Sequence, residues 1–214
     1  MFNFSSGYFF NLLLSLPGIL LAITFHEIAH GYAADAMGDP TPKYAGRLSM
    51  NPFKHLDPVG FICMLLFRFG WAKPVPVNPG YFKNRRKGII VVSLAGCLTN
   101  LLLGFIALTV EYAVFPWIHD NYILLIILEN IYAYNIIFAI FNLIPVPPLD
   151  GSQVLGEFLP PSAQVKFYQF ARYGMLILML LMITGVFGML INPIFNLIND
   201  LFRGLLSFIF GLIY

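Results

Sequence analysis

Long apolar runs dominate this chain, and short polar stretches separate them. The first run covers residues 9–33, with its polar positions gathered at the C-terminal end in HEIAHGYAAD. Further runs cover 88–110, 122–144 and 174–191. A helix needs about 20 residues to cross the bilayer's hydrocarbon core, and these runs have roughly that length. VGFICMLLF, at 59–67, is apolar but too short to cross. It predicts a re-entrant or interfacial segment. WAKPVPVNP, at 71–79, places proline at alternate positions, which blocks a helix and predicts extended chain. Residues 157–174 read as an interfacial linker. Residues 192–214 read as a last crossing or, because Asp200 and Arg203 interrupt them, an interfacial helix. The pattern predicts an all-α polytopic membrane protein with about five to six membrane segments and a re-entrant or interfacial segment near 56–79.

Composition agrees with the pattern. Of 214 residues, 59% are hydrophobic and 10% are charged, against about 25% charged in soluble domains. Mean hydropathy is +0.80. A formal net charge of +2 is too small for a nucleic-acid partner. Cys63 and Cys97 both lie in apolar segments and read as reduced thiols. No positive charge precedes the first apolar run, so that run reads as a retained helix, not a cleaved signal.

Charge changes the picture by orienting it. Lys43, Arg47 and Lys54 follow the first run, Lys83, Arg85, Arg86 and Lys87 precede the 88–110 run, and Lys166 and Arg172 lie in 157–174. Residues 111–121 carry no Lys or Arg. Basic loops stay on the cytoplasmic side, so this asymmetry predicts that residues 35–57, 71–87 and 150–172 are cytoplasmic. The end of the first run and the end of the 122–144 run then reach the same depth.

Candidate chemistry sits at those two ends. His26-Glu27-Ile28-Ala29-His30 has the H-E-x-x-H spacing. On a helix, positions four apart lie one turn apart on one face, so both imidazoles reach one metal ion. The glutamate between them is placed to act as general base. Neutral imidazoles and an open coordination position suit zinc. A catalytic zinc needs a third protein ligand. Cys63, Cys97, Asp35, His55 and Asp57 have suitable chemistry, but Asp150 is the strongest choice. Pro145, Pro147 and Pro148 precede it, Gly151 follows it, and it falls at the depth of the histidines.

Five stretches, FHEIAHGYAAD, GRLSMNPFKHLDPVG, GWAKPVPVNP, SLAGCLTN and FNLIPVPPLDGS, resemble the site-2 protease family of intramembrane zinc metalloproteases, peptidase family M50, in its short form without a PDZ domain. They cover residues 25 to 152 in the family's order. The resemblance implies one zinc ion per chain held by His26, His30 and Asp150, with Glu27 as catalytic base. It implies that Asn142, and less directly Asn100, help to position substrate or the reaction intermediate. Cys97 stands where relatives often carry proline. The implied architecture is a single membrane metalloprotease domain over 1–214. It has a three-helix catalytic core at about 9–152 and C-terminal membrane segments at about 172–214. The implied reaction is hydrolysis of peptide bonds in transmembrane or membrane-proximal substrates, within the bilayer near its cytoplasmic side, in a multi-pass protein of the cell membrane. A zinc transporter or a proteolytically inert scaffold are the competing readings. The first would need polar positions on both sides of the membrane, and the second is disfavoured by retention of all four catalytic-site residues.

Overall fold

The computed structural model describes residues 6–67 and 70–212. Among them the secondary structure is helical, apart from one isolated antiparallel bridge between Leu56 and Ala72. Helix α1 runs Ser6–Met37 and passes through Pro17 without ending. A short helix α2, Thr41–Tyr44, follows, and then α3, Pro58–Phe67. Helix α4 spans Arg85–Ile118, with the Asn84 side chain accepting the Lys87 N–H as its cap. Helix α5 spans Tyr122–Leu143 and is capped by Asn121 in the same way. Both caps satisfy a main-chain donor that the helix itself leaves free.

Helices α1, α4 and α5 pack against one another. Helices α1 and α5 approach closely at Gly18, where a Cβ would fall 2.6 Å from the Asn130 carbonyl oxygen of α5. Small residues let lipid-embedded helices come this near, where packing rather than water exclusion drives association. Among the described residues, five helical segments are long and apolar enough to cross a membrane.

Segment 56–79 follows the sequence expectation. Helix α3 has 10 residues, roughly 15 Å of rise, about half of a bilayer's hydrocarbon thickness. The chain returns through Gly70 and Trp71, and Gly60 accommodates that return because any Cβ there would meet Trp71 main-chain atoms. Residues 72–78 then form no helix, with Ala72 bridged to Leu56 and Asn78 in extended backbone. We call them the strap.

The C-terminal part differs from the expected boundaries. The predicted run 174–191 is interrupted at Gly185, which adopts φ 75°. Helices α6 (Asp150–Phe158), α7 (Pro161–Phe170) and α8 (Gly174–Ile183) precede the break, and α9 (Val186–Gly211) follows it. The apolar run continues through Gly185, so hydropathy gave no boundary there. A left-handed residue ends the helix instead. The expected interfacial linker is largely helical, and Pro161–Ile183 forms one segment of spanning length.

The segment read as a last crossing or an interfacial helix is one continuous helix, long and apolar enough to cross. Helix α9 has 26 residues and packs on α4 and α5 through Ile191 and Leu206. Its Arg203 is paired: Nη2 donates to Glu129 Oε2 at 2.6 Å, Nε donates to Asn199 Oδ1 at 2.8 Å, and the guanidinium lies over the Tyr132 ring. An ionised side chain is tolerated in such a helix when it is paired and faces the bundle.

Candidate metal centre

The C-terminal half of α1 carries His26, Glu27 and His30, all buried. His26 Nε2 and His30 Nε2 are 2.9 Å apart. Asp150, the first residue of α6, brings Oδ2 to 3.1 Å from His26 Nε2 and 3.2 Å from His30 Nε2. These three residues form the metal-capable cluster among those described. Local sequence explains the position of Asp150. Pro145, Pro147 and Pro148 prevent α5 from continuing. Gly151 lets the chain turn back against the end of α5, since a Cβ there would collide with the Leu143 carbonyl.

The far nitrogens of the two imidazoles fix their tautomers. His30 Nδ1 lies 2.8 Å from the Val92 carbonyl oxygen, which can only accept. That nitrogen therefore carries the proton. His26 Nδ1 lies 2.9 Å from Asn100 Oδ1. Asn100 Nδ2 donates to the Ala22 carbonyl at 3.0 Å and to Asn135 Oδ1 at 3.1 Å, so its oxygen must face His26. Both Nδ1 atoms thus donate, and both Nε2 atoms present lone pairs to each other and to a carboxylate oxygen. Such a cluster needs a cation at its centre. Asp150 Oδ2 faces both of these nitrogens and adds an oxygen donor to the set. Two neutral imidazoles and one carboxylate form a three-ligand set that suits zinc and leaves a coordination position open.

Helix α4 supplies the wall behind the cluster. Val92, Gly96 and Asn100 recur every four residues and so share one face. Val92 and Asn100 hold the two imidazoles, and Gly96 makes room for them. A Cβ on Gly96 would lie 2.6 Å from His26 Cε1 and 2.8 Å from His30 Cε1. Phe138 of α5 packs edge-on against the His26 ring.

Glu27 is not part of the ligand cluster. Its Oε2 accepts the Val75 main-chain N–H from the strap at 2.8 Å.

The remaining sequence candidates fall outside the triad. Asn100 is fully buried, and its amide is engaged by His26, Ala22 and Asn135, which puts it behind a candidate ligand. Asn142 is buried near the end of α5 and donates to the Phe138 carbonyl. His55 is buried and bonds to the Ser49 carbonyl, while Asp57 accepts the Gly60 N–H at the start of α3, so both shape the loop. Asp35 and Cys63 are not in the cluster. Cys97 Sγ approaches Asp150 Oδ2 at 3.9 Å without joining the ligands. His119 pairs with Asp120 at the opposite end of α4.

Sequence reasoning did not single out Asn135, Val92 or Asp39. A carboxamide inside an apolar run was the available signal for Asn135. Val92 acts through its carbonyl, which no side-chain pattern reveals. Replacing Asn100 by leucine leaves the His26 Nδ1 proton without its acceptor. Zinc affinity is expected to fall about 10–100-fold, measured by competition with a chromophoric chelator, while the helical circular-dichroism spectrum stays unchanged.

Relatives share this arrangement's family. The model for "Peptidase family M50" matches residues 118–185. The chain is 36% identical over 202 residues to "Putative zinc metalloprotease YwhC" of Bacillus subtilis (strain 168), covering 90% of each chain. The chain belongs to peptidase family M50. It is also 29% identical over 178 residues to "Putative zinc metalloprotease Rip2" of Mycolicibacterium smegmatis, covering 80% of this chain and 67% of that one. No solved structure matches it significantly. An M50 chain with five segments of spanning length is a multi-pass membrane protein.

Proposed function

We infer that this M50 protein is an intramembrane zinc endopeptidase. Its substrates are transmembrane or membrane-proximal peptide segments, which it hydrolyses near the cytoplasmic side of the bilayer. The convergence of His26 and His30, on the spanning-length helix α1 that also carries Glu27, with Asp150 at the start of α6 carries this reading. Zinc bound by the triad supplies Lewis acidity, which polarises a carbonyl and makes water easier to deprotonate.

The protein's own groups supply the rest. Glu27 has one carboxylate oxygen engaged by Val75 and uses the other to take a proton from water and return it to the leaving amine. Asn100 keeps the His26 ring in its donor–acceptor orientation. Asn142 uses the amide capacity that Phe138 leaves free to hold a substrate carbonyl. The cytoplasmic placement rests on charge: Lys43, Arg47, Lys54 and the 83–87 cluster all lie at the metal-bearing end of the bundle.

The test is reconstitution in liposomes with a membrane-spanning peptide and with a soluble peptide of the same cleavage sequence. Cleavage of the first but not the second, lost with 1,10-phenanthroline and restored by zinc, is the expected result. Equal cleavage of both would remove the intramembrane assignment. Zinc flux without cleavage would replace a peptidase by a transporter.

A further inference from the structure

The strap is tied down at three points. At its start, Lys73 donates its N–H to the His55 carbonyl and accepts at its own carbonyl from Arg47 Nη2. At its end, the Asn78 N–H donates to Asp39 Oδ2 at 2.6 Å. Asp39 is fully buried just beyond α1 and also accepts from the Thr41 N–H and hydroxyl. The middle point is the Val75 N–H on Glu27.

The sequence makes that middle point singular. Pro74 and Pro76 flank Val75 and have no N–H. Between Lys73 and Val77 the strap therefore has one main-chain donor, and that donor faces Glu27. The Val75 side chain is also buried, whereas Lys73, Pro74 and Pro76 are exposed. Glu27 in turn is a buried carboxylate, and Val75 is its hydrogen-bond donor among the described residues. A glutamate has three side-chain torsions, so one fixed oxygen removes most of the freedom of the other. A charge-assisted bond is strong enough to hold it.

We propose that Val75 is a positioning residue, whose main-chain N–H holds Glu27 in register with the metal triad, and that Asp39 and Arg47 pin the strap so that it can do so. The proposal rests on the reading of Glu27 as general base. It makes the strap part of the base's geometry and not only a cover. A substrate must then pass the strap without lifting Val75 from Glu27.

Two measurements on the full-length, zinc-loaded protein test this. The first replaces Val75 by its α-hydroxy acid, which changes the N–H to an ester oxygen and keeps the side chain. Expected is a fall in kcat of about tenfold to a hundredfold, the cost of a small misplacement of a reacting group, with KM and bound zinc unchanged. Wild-type kcat, or a loss carried by KM alone, overturns the proposal. The second follows hydrogen exchange at the Val75 amide, the sole exchangeable main-chain site between Lys73 and Val77. Glu27→Ala is expected to speed it about tenfold or more, loss of one charge-assisted hydrogen bond being worth roughly that factor. Glu27→Gln, which still offers a neutral oxygen, is expected to fall between wild type and Glu27→Ala. Equal exchange in the two variants, or no change in Glu27→Ala, overturns the contact. The exchange arm needs no substrate, so it decides the strap contact even if the wild type cleaves no peptide.

Discussion

Glu27→Gln is expected to lower peptide cleavage by about 10²–10⁴-fold, the range that positioned acid–base groups contribute, while zinc remains bound. The two halves of this outcome have separate causes. Zinc stays because the cluster that could hold it consists of His26, His30 and Asp150, and Glu27 is not part of it. Cleavage falls because an amide cannot take a proton from water at neutral pH. Size does not confound the result, since glutamine is isosteric and its oxygen can still accept the Val75 N–H. Asp150→Ala is the matched contrast, because it removes a ligand and should lose zinc and cleavage together. Zinc content by atomic emission and cleavage in liposomes give both readings from one preparation. Undiminished cleavage by zinc-loaded Glu27→Gln would take the role of base away from Glu27.

Gly96→Ala is the second large expected effect, and it acts without touching any polar group. The added methyl would meet His26 Cε1 and Nδ1 and His30 Cε1, all within 2.8 Å. Neither ring can retreat freely. His26 is held by Asn100 and packed against Phe138, and His30 is held by the Val92 carbonyl. The rings must leave the geometry in which their Nε2 atoms converge. Zinc affinity should fall about a hundredfold or more, beyond the usual cost of losing one supporting hydrogen bond. Gly104→Ala controls for helix packing. It lies on the same helix, but its methyl would meet the flexible end of the Ile136 side chain. That variant should retain zinc. Equal zinc loss in both would mean that α4 packing in general, not the space beside the rings, governs the site.

Much of this site was legible from residue spacing. Two histidines four apart on a helix fix two ligands in space almost by themselves, and three prolines before Asp150 marked the end of α5 that brings in the third. The short α3 and the non-helical strap were readable because length and proline act locally. The supporting interactions were less legible. Val92 and Val75 act through main-chain atoms, so their side chains give no hint of what they hold. Asn100 was visible, but its partners come from α1 and α5, and only packing shows that both its amide hydrogens are taken. The break at Gly185 was missed for a different reason. Hydropathy measures where lipid is tolerated and not whether the backbone continues as a helix, and the residues around Gly185 stay apolar.

The Arg203–Glu129 pair has a consequence for biogenesis. Glu129 emerges from the ribosome with α5, more than 70 residues before its partner on α9. During that interval the nascent chain already holds both halves of the metal site, but a carboxyl in α5 has no counter-charge. The Arg203–Glu129 contact and the packing of α9 on α4 and α5 form only once α9 has been made. A product that stopped before α9 would carry Glu129 without the guanidinium that pairs with it here.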